Sequence, residues 1–372
     1  MEPDCREISY LRGRGMLHIA TIVGARPQFI KAAVLSEQFK KRGIKETLIH
    51  TGQHYDTNMS DIFFRELGLD RPQLNLGIHG DTNTAQTAKT MLALERQMPE
   101  LRPDAILVYG DTNATLSGAL TGAQMQIPII HVEAGLRSYD RRMPEELNRV
   151  LADSLSRILF CPTDAAVENL KKEGIVDGVY NVGDIMYDAV LRYSGASRLQ
   201  SGILDRLRVR EKEYVLATVH RNFNTDDPAR LRMILESLVH CGETVVLPLH
   251  PRTKKMIGEY HLESYLNGAN LVVTEPLGYL DMIRLQTSAR VIVTDSGGVQ
   301  KEAYYNGVPS VVLRDNTEWV ELIEMGWGQL VPAQPDAVIP AIRSAKTGRM
   351  NRYPYGRGNT GELICDRILD VF

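Results

Sequence analysis

Short β-branched runs alternate with amphipathic stretches of helical length along nearly the whole chain, and this rhythm constrains the fold more than any other feature. Candidate strands fall at 17–23, 46–50, 105–109, 128–132 and 158–161, then at 214–219, 244–249, 270–273, 290–294 and 309–313. Candidate helices lie between them at 28–42, 84–99, 114–125 and 144–157, then at 228–240, 252–261, 279–287 and 297–306. Strands that are apolar on both faces, each followed by a helix, predict parallel sheets covered on both sides. One sheet of about ten strands would sit at the upper limit for an open sheet. Strand signals lapse at 184–212, where the composition turns polar. The expected class is therefore α/β, with two Rossmann-like domains facing a central cleft and ligands at the carboxyl ends of the strands. The expected layout is a flexible arm over 1–15, a first domain over 16–190 and a second over 191–356, with a last helix at 361–371.

The bulk properties exclude several classes. The chain has 372 residues, 43% of them hydrophobic and 24% charged, enough for two separate cores. A net charge of -3 gives no bulk attraction to nucleic acid or to a membrane surface. No apolar run approaches the ~20 residues of a membrane helix, and residues 1–15 lack the apolar centre of a signal peptide. A cytoplasmic location is the expectation. Cys5, Cys161, Cys241 and Cys365 form no CxxC pair and no zinc-like cluster, so reduced thiols and no bound metal are expected.

Residues able to do chemistry gather where strands end. Strand 17–23 runs into Gly24-Ala25-Arg26-Pro27-Gln28, with Lys31 one turn on. Pro27 suits a first helical position, and Arg26 and Lys31 would flank a helix N-terminus that favours anions, unless both are plain solvated charges. Strand 105–109 ends in Gly110-Asp111, where Asp111 is a candidate acid or base or simply a helix cap. Strand 128–132 ends in Glu133, with Arg137 following, and Pro144-Glu145 opens a helix that carries Arg149. Glu145 and Arg149, four apart, have an intrahelical ion pair as their simplest reading. Three carboxylates at neighbouring strand ends and their following helix also fit an acid/base set.

The second half ends strand 290–294 in Asp295-Ser296-Gly297-Gly298, with Glu302 one turn further. Two glycines at a helix start let a phosphate approach backbone N–H groups, and Glu302 is placed to accept from ribose hydroxyls. The spacing matches neither a dinucleotide fingerprint nor a Walker loop. His220-Arg221 and His250-Pro251-Arg252 follow two further strands, and Arg314 follows strand 309–313. Trp319 and Trp327 are read as packing residues rather than base-stacking ones.

Together these segments resemble the non-hydrolysing UDP-N-acetylglucosamine 2-epimerase family. The matching stretches are Gly24-Ala25-Arg26-Pro27 with Lys31, Thr51-Gly52-Gln53-His54, Gly110-Asp111-Thr112, His131 through Arg137, Pro144-Glu145-Glu146 with Asn148-Arg149, and Thr294 through Gly298 with Glu302. The resemblance implies a GT-B-type fold, a homodimer, a UDP-sugar substrate and no redox cofactor. It implies that the last helix, within 357–372, returns to the first domain. It marks Asp111, Glu133, Glu145, His220, Lys31 and Arg149 as catalytic. It implies UDP-sugar binding by Ser296, Gly297, Gly298 and Glu302, with Arg26, Arg137, His250, Arg252 and Arg314 as further candidates. The chain departs from the family at Thr317-Glu318-Trp319-Val320-Glu321, where many members read Thr-Glu-Arg-Pro-Glu. Ala25 and Gln28 stand where Thr and Glu are common. Bacterial members often carry a regulatory substrate site near the positions of Gln53-His54; no counterpart of its nearby arginine is evident around 77–84.

The implied reaction is inversion at C2 by elimination of UDP to a glycal and its re-addition. Some of the same segments also look like the branch acting on UDP-2,3-diacetamido-2,3-dideoxyglucuronate, for which Arg141-Arg142 would offer a cation to the extra carboxylate. A GT-B glycosyltransferase is the competing enzyme class, and a non-catalytic UDP-sugar sensor the competing binding class. The number of carboxylates in the first half disfavours both.

Overall fold

The computed structural model describes residues 15–52, 64, 66–349 and 353–372. The expected arm, apart from Gly15, and the Gln53-His54 stretch lie outside these residues. The chain divides into two compact units. One runs up to Ala189 and takes in Pro354–Phe372; the other is Val190–Tyr353.

The first unit contains strands β1 (His18–Val23), β2 (Lys45–His50), β3 (Leu74–Asn75), β4 (Ala105–Tyr109), β5 (Ile129–Val132), β6 (Ile158–Cys161) and β7 (Val179–Asn181). They form one parallel sheet in the order β3-β2-β1-β4-β5-β6-β7. Every residue of β1, β4, β5 and β6 is buried, as expected of strands with helices on both faces. The last helix, Thr360–Val371, packs on the first helix, Arg26–Arg42, with Arg42 bonded to Asp366 at 2.9 Å. The Asp188 carboxylate accepts the Gly361 N–H at 2.8 Å and so satisfies an open donor at that helix start.

The second unit contains β8 (Tyr214–Thr218), β9 (Thr244–Pro248), β10 (Leu271–Thr274), β11 (Val291–Thr294), β12 (Ser310–Val312) and β13 (Gly328–Leu330), all parallel in the order β10-β9-β8-β11-β12-β13. Apolar residues from both faces of the sheet form its two cores, around Val215, Val245 and Val293 on one side and Leu216, Val246 and Ile292 on the other. Each unit is thus a Rossmann-like α/β layer structure.

The strands missed by sequence are β3, β7 and β13, edge strands of two or three residues. The stretch where strand signals lapse folds as the helix Ile185–Gln200, within which the two units meet in sequence. The helices Asp164–Lys172 and Pro335–Ser344 were also unforeseen.

Candidate active site

In the first unit the candidate residues lie at the carboxyl ends of three adjacent strands, β1, β4 and β5. Gln28 joins the loops after β1 and β4. Its Oε1 accepts the N–H groups of Gly24 and Ala25 at 2.7 and 3.0 Å. Its Nε2 donates to the Tyr109 carbonyl at 2.7 Å and to Thr112 Oγ1 at 3.0 Å. Those two loop amides are therefore satisfied internally instead of being open to an anion. Lys31 is no surface lysine: it is buried, and its Nζ pairs with the Glu133 carboxylate. Arg26 is half-buried at the start of the same helix.

Glu133 has φ +70, a left-handed conformation uncommon for a residue with a side chain and of the kind that gathers at functional sites. The N–H groups of Glu133 and Ala134 both donate to the Phe160 carbonyl at 3.0 Å, which curls the chain off the end of β5. Gly110, at φ +61, lies so close that a Cβ there would stand 3.3 Å from the Glu133 carboxylate. Asp111 follows and pairs with Arg149. Asp111 does not cap the next helix, because the Thr112 hydroxyl does so by accepting the Thr115 N–H.

The Glu145–Arg149 pair expected from spacing is replaced by another arrangement. Arg149 reaches Asp111 and, at 3.2 Å, Glu146. Glu146 is buried and accepts from Ser138 N and Oγ and from Tyr139 N, each at 2.9 Å. Burial pushes its carboxyl upward, but these donors and Arg149 outweigh that and hold it below the usual range. Glu145 is half-buried and, among the described residues, makes no side-chain hydrogen bond or ion pair. Of the neighbouring acids, Glu145 is the one left available.

Arg137 corrects the expectation placed on it. Its side chain is 1% exposed, pairs with Asp153 at 2.7 Å and grips both oxygens of Glu173. With its donors committed inside the protein, it fixes the loop after β5 and does not reach out to a substrate.

In the second unit four adjacent strands, β9, β8, β11 and β12, deliver His250, His220, Asp295 through Gly298, and Arg314 to one sheet edge. Asp295 is fully buried and binds the His220 and Arg221 N–H groups and Asn224 Nδ2 at 3.0–3.1 Å. Sequence reasoning missed this anchor; a carboxylate directly after an apolar strand was the available signal. The His220 and His250 rings stack with centroids 5.1 Å apart. Burial lowers the pKa of each, more than the attraction of Asp295 raises it. Ser296 caps the helix Gly297–Tyr305. A Cβ on Gly297 would stand 2.7 Å from Glu318 Oε1, so that glycine answers to Glu318. A Cβ on Gly298 would meet only Ser296 Oγ, at 4.0 Å, an ordinary contact.

Glu302 accepts from Gln286 Nε2 at 2.6 Å. Arg314 pairs with Glu318 at 2.8 Å and helps hold that carboxyl low against the opposing effect of burial. Arg252 donates to Thr225 Oγ1 at 2.9 Å and pairs with the exposed Asp226. Trp319 and Trp327 are buried packing residues. Among the described residues no group of three His, Cys, Asp or Glu side chains is arranged to hold a metal ion.

Paired carboxylates and cations at one parallel-sheet edge, with a glycine-rich helix start and two histidines at another, define a two-domain α/β enzyme of the nucleotide-sugar type. The family model described as UDP-N-acetylglucosamine 2-epimerase matches residues 37–369, and the chain belongs to that family. A UDP-N-acetylglucosamine 2-epimerase homolog of Methanococcus maripaludis is 47% identical over 358 residues, covering 95% of this chain and 100% of the relative. The UDP-2,3-diacetamido-2,3-dideoxy-D-glucuronate 2-epimerase of Pseudomonas aeruginosa is 44% identical, covering 95% of this chain and 99% of that one. Among solved structures, the UDP-GlcNAc 2-epimerase of Methanocaldococcus jannaschii in complex with UDP-GlcNAc and UDP superposes with a TM-score of 0.88 at 38% identity, covering 96% of this chain and 100% of that chain. The fold is therefore of the GT-B-like kind these epimerases share.

Proposed function

We propose that the chain catalyses the reversible C2 epimerisation of UDP-N-acetylglucosamine to UDP-N-acetylmannosamine. The observation that carries this reading is the pair of ion pairs, Lys31–Glu133 and Asp111–Arg149, at the ends of adjacent strands β4 and β5. The C2 hydrogen of the sugar is only weakly acidic, so its removal must accompany departure of a leaving group. In the proposed scheme a carboxylate takes the C2 proton as the C1–O bond breaks, a C1–C2 double bond forms, and UDP leaves as the anion. A second carboxyl group then delivers a proton to the opposite face of C2 while UDP re-adds at C1. Asp111, Glu133 and Glu145 are the acid/base candidates. Lys31 and Arg149 pair with two of them and hold them in place. The Ser296-Gly297-Gly298 helix start and His220 offset the charge that grows on the pyrophosphate. No redox cofactor or metal enters the scheme.

The deciding experiment is NMR of the purified protein with UDP-N-acetylglucosamine in heavy water, without an acceptor. UDP-N-acetylmannosamine with deuterium at C2 is expected. Transfer that requires an acceptor would place the chain with glycosyltransferases, and binding without exchange would make it a sensor. Sedimentation of the same sample tests the proposed homodimer. Among the described residues no helix is long and apolar enough to cross a membrane.

A second reading has its own support. The diacetamido-glucuronate epimerase is 44% identical, and the Methanocaldococcus jannaschii UDP-N-acetylglucosamine 2-epimerase is 39% identical. Arg141 is exposed and, among the described residues, makes no ion pair, whereas its neighbour Arg142 is bonded to Asp140. A free cation ahead of Glu145 suits a substrate with a carboxylate at C6.

A further inference from the structure

We propose that His131 is a positioning residue: bonded at both ring nitrogens, it fixes together the three segments that carry Asp111, Glu133 and Glu145. The inference rests on the reaction proposed above for those carboxylates. His131 is the third residue of β5 and is completely buried. Its Nε2 lies 2.7 Å from the Gly110 carbonyl, and its Nδ1 lies 2.7 Å from Asp153 Oδ1. A carbonyl only accepts, so Nε2 donates to Gly110. Asp153 also accepts the Gly135 N–H at 3.1 Å and Arg137 at 2.7 Å through its other oxygen, so one buried carboxylate gathers His131, Gly135 and Arg137.

The groups around His131 are Asp153 from the helix Pro144–Leu155, Arg137 from the loop after β5, and Glu173 beyond Arg137.

The three acid-bearing segments meet here. Gly110 immediately precedes Asp111. Glu133 lies between His131 and Gly135, and both of these bond Asp153. Asp153 stands about two turns beyond Glu145 on the same helix, Pro144–Leu155. The cluster touches no reacting atom, so its effect on chemistry passes entirely through the placement of these loops.

The test uses the full chain with ring-15N-labelled histidine. One histidine, absent from the spectrum of His131→Gln, is expected to carry a proton on Nε2 that is hydrogen-bonded to the Gly110 carbonyl. In kinetics, His131→Gln is expected to lower kcat about 100-fold, the scale of a misplaced catalytic group, while KM changes little. A His131 ring whose Nε2 carries no proton overturns the proposal. So does a folded His131→Gln whose kcat matches the parent, or one that loses KM and kcat alike. If the variant does not fold, the parent spectrum, assigned by its coupling to Asp153 and Gly110, still decides. A parent with no 2-epimerase activity would refute the proposed function instead, and the Nε2 proton would remain measurable.

Discussion

Lys31 on the first helix and Glu133 beyond β5 form a nearly buried ion pair across 102 positions of sequence, their side chains 7% and 13% exposed. Neither charge is well hydrated, so each depends on the other, and the left-handed backbone at Glu133 aims its carboxylate at that meeting point. Glu133→Gln and Lys31→Met should each reduce kcat by at least ~100-fold, and the double variant should be hardly worse than either single one. Losses that multiply in steady-state assays would show that the two residues act independently.

Glu145 and Glu146 are adjacent and should separate cleanly. Glu145→Gln should lose ~100-fold or more in turnover with an unchanged melting temperature. Glu146→Gln removes an acceptor from Ser138, Tyr139 and Arg149 and should cost about 1–3 kcal/mol in stability. The sign of the pH dependence follows from the depressed folded-state pKa of Glu146. Its contribution is complete above the ordinary carboxylate range and disappears as pH falls through the lower folded value. The melting-temperature gap between the parent and Glu146→Gln should therefore close on acidification. A gap that widens at low pH would contradict the assignment.

The central strands were readable because parallel strands buried on both faces leave continuous apolar runs, and 105–109 and 158–161 match β4 and β6 residue for residue. The edge strands β3, β7 and β13 are too short for any period to register. The helix Ile185–Gln200 lay under a polar stretch that signals a linker just as well. Candidate carboxylates could be found because they follow strands. Their wiring could not, because a side chain's partner is set by tertiary placement. Spacing gave Arg149 to Glu145, yet it bonds Asp111, 38 positions away. Arg137 resembled a substrate ligand by motif but closes a buried network. Gln28 and Asp153 carry no local signal of the loops they hold.

The two glycines at the second unit's helix start should behave differently. Gly298→Ala adds a methyl that meets only Ser296 Oγ at 4.0 Å, so stability should hold while UDP affinity drops about tenfold, the effect of losing a close backbone approach to phosphate. Gly297→Ala forces aside the Glu318 carboxylate, which Arg314 restrains, and should cost about 1–3 kcal/mol of stability. Calorimetric titration with UDP and thermal melts distinguish the two. Equal loss of affinity without loss of stability in both would remove Glu318 from the account.

His220 and His250 should make UDP binding proton-linked. In the free protein burial lowers both pKa values, so both rings are neutral near pH 7. A pyrophosphate beside them favours the charged form and raises those values. Binding should then take up protons between the free and bound pKa values, and affinity should increase as pH falls through that window. Titrations in buffers of different ionisation enthalpy measure the uptake, which His220→Asn should reduce. Proton release on binding, or none, would argue against a phosphate at this sheet edge.

Arg141 provides the sharpest test of which sugar is used. Arg142 is held by Asp140 through two charge-assisted bonds of 2.8 Å, so removing it mainly frees Asp140, at a solvent-exposed position. Arg141 has no such commitment among the described residues. On UDP-N-acetylglucosamine, which lacks a carboxylate, Arg141→Ala should leave kcat/KM within about twofold, as for an exposed residue outside the chemistry. On UDP-2,3-diacetamido-2,3-dideoxyglucuronate the same substitution should cost about 10–100-fold if Arg141 receives the C6 carboxylate, the scale of one charge-assisted hydrogen bond. Both substrates should be assayed with the parent and with Arg141→Ala. A parent that prefers the uronate by ~100-fold, with that preference lost only in Arg141→Ala, would overturn UDP-N-acetylglucosamine as the substrate and assign the uronate.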